Sequence, residues 1–381
     1  MSQAVLHVYE DYKWTGASQP IAVVCRELNR RGWRAELACS GASPNPEKRY
    51  LYERAREMGV RVHDEFFFQS DPNFACNLRD IDRLSRLIEE GEFPIVHAHG
   101  SWDHVLAAIA LRRGPSDAPL VRTDHGAREF SGSPLEHFQF GPGMTDHLIV
   151  LSDRLRALAV DRLGRDPASV TTVRGAVALE DFPPIQPPDG IREKFGLADG
   201  DIVFGIVARV QWHRRFEVLL EAAHTLQERE PRIKIVVLGR GTHKEEILDR
   251  PVVELDLEDT VYPLGYRSDD YEEVLAMCDA GLMLVPGSDG SCRAAMQMCS
   301  MAKPMVVARR GVLPDIVADG ETGLVVNDTP ENLAEALMEM AESAEMRRRW
   351  GEAARERMRE KFSVDRQARR LEEVYGRVMG A

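Results

Sequence analysis

Two stretches carry residue types suited to holding an anion. In the first, Val203–Phe216 (VFGIVARVQWHRRF), an apolar run ends at Ala208-Arg209, and a loop leads to Arg214-Arg215 and a new helical pattern. Guanidinium groups at the carboxyl end of a strand and beside a helix N-terminus favour phosphate. Their forked N–H groups and the unpaired backbone N–H groups point at the same ligand. Solvated surface arginines would leave the same pattern. The second stretch, Leu282–Val307 (LMLVPGSDGSCRAAMQMCSMAKPMVV), passes from an apolar run through a loop into a helix from about Cys292. Gly287 and Gly290 allow a tight turn that presents N–H groups. Asp289 lies in that loop, Arg293 in the first helical turn and Gln297 one turn further on. A capping Asp and a solvated Gln are the plain alternative. Histidines form a third group. His97 and His99 alternate to one side of a strand, and His125 follows the next strand in Arg122-Thr123-Asp124-His125-Gly126. No third ligand has convincing metal spacing, so satisfied strand-end histidines are expected at His97 and His99. His125, at a strand's carboxyl end, is expected to face a ligand.

The elements that hold these residues alternate. Strands are expected at Ala4–Tyr9, Ala35–Cys39, Pro94–Ala98, Leu120–Thr123, Leu148–Leu151 and Val170–Val173, with helical patterns at 21–31, 79–89 and 104–111. Phe182–Phe195 (FPPIQPPDGIREKF) has a linker composition. A second series follows, with strands at Val203–Val207, Ile233–Leu238, Thr260–Tyr262, Leu282–Val285, Met305–Ala308 and Gly323–Val326. Repeated strand–helix units imply parallel sheets covered on both faces. Two doubly wound α/β domains are therefore expected, facing across a cleft, with ligands at the carboxyl ends of the strands. The expected boundaries are 1–182, a linker 183–199, a second domain 200–362, and a C-terminal helix 363–381 returning to the first domain.

At 381 residues the chain is too long for one ordinary core. Its hydrophobic fraction of 44% and charged fraction of 29% exclude wholesale disorder and a fibrous protein. No apolar run is long enough to span a bilayer, and no basic segment precedes an apolar one at the start, so a cytoplasmic protein is expected. Six cysteines without a Cys-x-x-Cys pair fit reduced thiols. A net charge of -13 argues against a nucleic-acid partner. Arg26, Arg30, Arg31 and Arg34 form a basic patch that suits weak peripheral contact with anionic lipid at the inner face of the membrane, or a solvated helix face.

Taken in order, these motifs resemble those of GT-B glycosyltransferases of family 4, over nearly the whole chain. The family's Gly-Arg-x-x-x-x-Lys-Gly falls on Ala208-Arg209 and Arg214-Arg215, and its paired glutamates fall on Asp289 and Gln297. Leu264-Gly265-Tyr266-Arg267, Cys278-Asp279-Ala280 and Asp319-Gly320-Glu321-Thr322-Gly323-Leu324 stand in the expected order. The family's glycine loop matches Thr15-Gly16, its His-x-His matches His97-Ala98-His99, and a further histidine matches His125.

The resemblance implies a retaining transfer from a UDP-, GDP- or ADP-sugar to a glycan, lipid or small molecule, with no cofactor and no metal. It implies that Arg209 and Arg214 clamp the diphosphate, that Gly290, Ser291, Cys292 and Arg293 face sugar and phosphate, and that Asp289 accepts from a sugar hydroxyl. Gln297 would contact the ribose, Gly265 and Tyr266 would lie near the base, and His125 would touch the donor sugar. Gly16 would mark the acceptor side. The departures are Asp289 and Gln297 for the glutamates, Arg214 for lysine and Arg215 for glycine. They leave two alternatives: a nucleotide-sugar-binding protein without turnover, and a nucleotide-sugar epimerase.

Overall fold

The computed structural model describes residues 3–41, 50–68, 74–126, 129–287 and 292–380. The chain forms two units: Met1–Gly175 with Val364–Ala381, and Ala176–Ser363. Among the described residues, no helix is long and apolar enough to cross a membrane.

In the first unit the strands are β1 (Ala4–Tyr9), β2 (Arg34–Ser40), β3 (Arg61–Phe66), β4 (Val96–Ala98), β5 (Leu120–Asp124), β6 (His147–Val150) and β7 (Val170–Thr172). They pair in parallel in the order β3-β2-β1-β4-β5-β6-β7. Every residue of β1 is buried, as a strand covered on both faces requires. β3 had no apolar signature. Its sequence RVHDEF belongs to an edge strand, half-buried or exposed along most of its length, where charges guard against further pairing.

The helix Val364–Val378 belongs to this unit. Ala368, Leu371, Val374 and Tyr375 are buried in a core shared with Val5, Leu28 and Leu37, and each large side chain buried there contributes about 1.5–3 kcal/mol. Arg31 adds a forked pair to Glu372 (3.0 and 2.7 Å) and a bond to Asp365 (2.8 Å). Arg34 donates to the Gly91 carbonyl, pairs with Glu36 and stacks 4.4 Å from the Phe93 ring centre. Two of the four arginines of the basic patch thus bond within this unit.

In the second unit the strands are β8 (Ile202–Val207), β9 (Ile233–Leu238), β10 (Val261–Gly265), β11 (Ala280–Met283), β12 (Met305–Ala308) and β13 (Gly323–Val326). All pair in parallel, in the order β10-β9-β8-β11-β12-β13. Phe182 and Ile191, from the proline-rich segment, and Leu197 just beyond it are buried in this unit's core beside Val203 and Met298. Each sheet reverses its winding once, between β1 and β4 and between β8 and β11. Such switch points open a crevice at the carboxyl ends of the strands.

Candidate functional site

At the switch point of the second unit, Arg214 ends a short turn, Trp212–Arg214, that follows β8. Its side chain is buried, and Nη1 donates to the carbonyl oxygens of Val285 (3.0 Å) and Pro286 (2.7 Å) in the loop after β11. The cation therefore ties together the two loops that flank the crevice. Arg209 is exposed and makes no hydrogen bond or ion pair with any described residue. Arg215 adopts φ +63°, a left-handed conformation that glycine accepts freely. Its Nε lies 3.3 Å from Asp328 and 3.2 Å from Glu217, so its side chain is occupied by the far end of the loop after β13.

The neighbouring loop after β9 needs its glycines for packing. A Cβ on Gly239 would lie 1.8 Å from the Ala208 carbonyl oxygen, and one on Gly241 would lie 1.8 Å from that of Val210. These two glycines let the β8 and β9 loops abut. Gly265, at φ +72°, turns the chain at the end of β10. Beyond it Tyr266 is exposed, with the Arg240 guanidinium 4.6 Å from its ring centre, a flat cationic–aromatic surface.

Asp289, Gly290 and Ser291 lie outside the described residues. Cys292 is buried, at φ +50°, and immediately precedes the helix Arg293–Ser300. Within that helix Gln297 is buried, and its Oε1 accepts a 2.8 Å bond from the Tyr271 hydroxyl. Tyr271 had given no signal in the sequence, because its partner arrives from another helix.

In the first unit, Gly16 lies exposed in the turn after β1, ahead of the helix Gln19–Arg30. Glu10 and Asp103 occupy the start of the helix Ser101–Arg113, accepting from Trp102 N (2.6 Å) and Gly100 N (2.8 Å). Arg122, buried beside them, donates to the Gly100 carbonyl and lies 3.9 Å from Asp103.

The histidines form a connected row. His7 Nδ1 is 2.8 Å from His99 Nε2, and His99 Nδ1 is 2.9 Å from His125 Nε2. His97 bonds Tyr375 through Nδ1 (2.6 Å) and Thr123 through Nε2 (2.7 Å). Burial, with no compensating acid in the row, pushes His7 and His125 down to about 3 and holds His97 and His99 well below the usual imidazole range. One ring nitrogen from each of His7, His97 and His99 lies within 4.8 Å of the others, but both nitrogens of His97 and of His99 already have partners. His7 is the member that spacing did not reveal: a single histidine inside an apolar strand, paired with residues some ninety positions away.

Two parallel, doubly wound α/β units, with their polar residues gathered at strand carboxyl ends, define the GT-B class of glycosyltransferases. Residues 14–181 match the model of Glycosyltransferase Family 4, and residues 189–357 that of Glycosyl transferases group 1. The chain belongs to glycosyltransferase family 4. The putative glycosyltransferase EpsD of Bacillus subtilis is 24% identical over 367 residues, 92% of this chain and 91% of that protein. A D-inositol 3-phosphate glycosyltransferase of Kineococcus radiotolerans is 31% identical over 324 residues, 76% of this chain and 73% of that protein. Among solved structures, a glycosyltransferase from Rickettsia africae superposes with a TM-score of 0.83 at 16% identity, over 99% of each chain. Anabaena HepE in complex with UDP gives 0.78 at 17% identity, over 99% of this chain and 100% of HepE.

Proposed function

We propose that this glycosyltransferase moves a sugar from a nucleoside diphosphate to an acceptor hydroxyl with retention of configuration, and that its second unit binds the donor. The observation that carries this reading is the pair of arginines at the β8/β11 switch point. One guanidinium, Arg214, fixes the loop Val285-Pro286, while the other, Arg209, stands exposed and uncommitted among the described residues. An exposed fork beside a fixed loop suits a pyrophosphate, whose developing charge it would stabilise as the sugar–phosphate bond breaks. In this scheme the acceptor oxygen bonds to the anomeric carbon on the face that the phosphate leaves, and the departing phosphate oxygen takes the acceptor proton. Asp289 would hold a sugar hydroxyl. Gln297, its Oε1 engaged by Tyr271, would offer its amide N–H groups to the ribose. The Arg240–Tyr266 surface would lie under the base, and His125 would contact the transferred sugar.

The solved complex of HepE with UDP supports a uridine donor as the first to test. The relatives named for D-inositol 3-phosphate support a small phosphorylated polyol as one acceptor class, beside glycans and lipids. Transfer of this kind needs no resident cofactor. The neutral amide of Gln297, where the family carries a carboxylate, favours one other reading: donor binding without turnover. A radiolabelled transfer assay over UDP-, GDP- and ADP-sugars separates the two, because binding without product or hydrolysis would leave only the second. Asp289→Ala is expected to reduce turnover more than nucleotide affinity, and equal losses would move Asp289 from the sugar to the nucleotide.

A further inference from the structure

We infer that His99, in a row closed by His7, acts as a positioning residue that fixes the tautomer of His125, so that His125 Nδ1 carries its proton and presents a hydrogen-bond donor. The row runs across neighbouring elements: His7 on β1, His99 just past β4 and His125 just past β5. Both contacts in it, 2.8 and 2.9 Å, join one ring nitrogen to another. Each contact therefore needs one N–H and one lone pair. A neutral imidazole has one of each, so the three rings must all point the same way.

Two directions satisfy that condition. In one, His7 Nδ1–H donates to His99, His99 Nδ1–H donates to His125 Nε2, and the His125 proton stays on Nδ1. In the other, every proton lies on Nε2, and His125 Nδ1 is a bare lone pair. The closed end of the row decides between them. His7 Nε2 is buried with no partner among the described residues. The second direction would place a proton there, an orphaned buried N–H. The first leaves only an unused lone pair, the less costly defect. A charged ring would relax the rule, but the row is buried and the Arg122 cation adds to the pressure against protonation at His99 and His125. His125 is half-buried, and its Nδ1 has no partner among the described residues. The row thus sets the polarity of the one nitrogen left for a ligand. A donor there suits a sugar hydroxyl oxygen or an acyl carbonyl, and disfavours a second N–H group.

The tautomer itself does not depend on the donor assignment above; its consequence for turnover does. Long-range proton–nitrogen NMR of protein labelled with 15N-histidine, at pH 7.5, reads the protonated nitrogen of each ring, with His125→Gln assigning the signal. In the unaltered protein His7, His99 and His125 should all be protonated at Nδ1. His125 protonated at Nε2 would overturn the inference. His99→Leu removes the N–H that His125 Nε2 accepts and should shift His125 toward Nε2–H. His7→Leu only moves the closed end to the buried His99 Nε2, which by the same rule keeps its lone pair, so His125 should stay protonated at Nδ1. An unmoved His125 in His99→Leu would show that the row has no such control. If His99→Leu fails to fold, the unaltered protein and His7→Leu still decide the matter. With a working transfer assay, kcat in His99→Leu should fall about tenfold with little change in donor KM, while His7→Leu keeps it. An equal fall in His7→Leu would assign the row to packing alone.

Discussion

Arg214 donates through Nη1 to the carbonyl oxygen of Pro286 at 2.7 Å, joining the loop after β8 to the loop after β11. The same nitrogen also donates to the preceding carbonyl, that of Val285, at 3.0 Å, so one Nη1 bridges two successive carbonyls. The cation at this position therefore has a structural duty in this chain.

That duty predicts a split between the two arginines. Arg214→Ala leaves the half-buried carbonyls of Val285 and Pro286 without this donor, and should lower stability by about 1–3 kcal/mol. Arg209→Ala removes an exposed side chain and should change stability by no more than about 0.5 kcal/mol. Urea unfolding of both variants checks this, and equal destabilisation would contradict the assignment.

Tyr271 and Gln297 lend themselves to a paired test. Tyr271→Phe leaves the buried Gln297 oxygen without its 2.8 Å bond and should cost ~1 kcal/mol of stability. Gln297→Glu restores the family's carboxylate, which the Tyr271 hydroxyl can also satisfy. It should therefore tighten nucleotide binding by ~1 kcal/mol as charge-assisted bonds replace neutral ones. Weaker binding measured by calorimetry would remove Gln297 from the ribose.

Most of this architecture was legible from the chain. Apolar runs such as AVLHVY and IKIVVL marked their strands because burial on both faces demands them. β3 escaped because an edge strand has no such demand. Arg209, Arg214 and His125 could be singled out, since strand ends and motif order carry their signal. What they touch could not. Arg214 bonds backbone carbonyls some seventy residues away, and any sequence supplies carbonyls. His7 and Tyr271 are ordinary until the sheet or a neighbouring helix brings their partners. The arginines at positions 31 and 34 read as a lipid contact or a solvated helix face because charge is visible in a sequence, whereas the acids Glu372 and Asp365 that engage Arg31 come from the chain's far end.

Arg215 provides a test of backbone strain. At φ +63° a side chain costs roughly 1–2 kcal/mol, whereas its partly exposed pairs with Asp328 and Glu217 return about 0–1 kcal/mol. Arg215→Gly should therefore be neutral or stabilising by up to about 1 kcal/mol, with nucleotide affinity unchanged. A marked loss of affinity would place the Arg215 side chain on the phosphate after all.

The buried histidines make the first unit sensitive to acid. His7, His104 and His125 are pushed to about 3 and His147 to about 4 by burial, and His97 and His99 are also depressed. A histidine kept neutral in the fold takes up its proton only on unfolding, so stability is full above about pH 6.5 and falls as pH drops toward the folded values. Asp103, whose carboxyl burial raises, works in the opposite sense between about pH 4 and 7 and offsets one histidine. At least two net protons should be taken up, a loss of ~2.7 kcal/mol per pH unit between pH 6 and 5. Urea midpoints that stay flat over that range would contradict the buried neutral row.

The most direct test of the donor site is isothermal titration calorimetry of UDP, GDP and ADP against the unaltered protein and Arg209→Ala. At least one nucleotide should bind, and Arg209→Ala should weaken that binding by about 2–5 kcal/mol while the variant melts like the parent. Undiminished affinity in Arg209→Ala would mean that the pyrophosphate is held elsewhere.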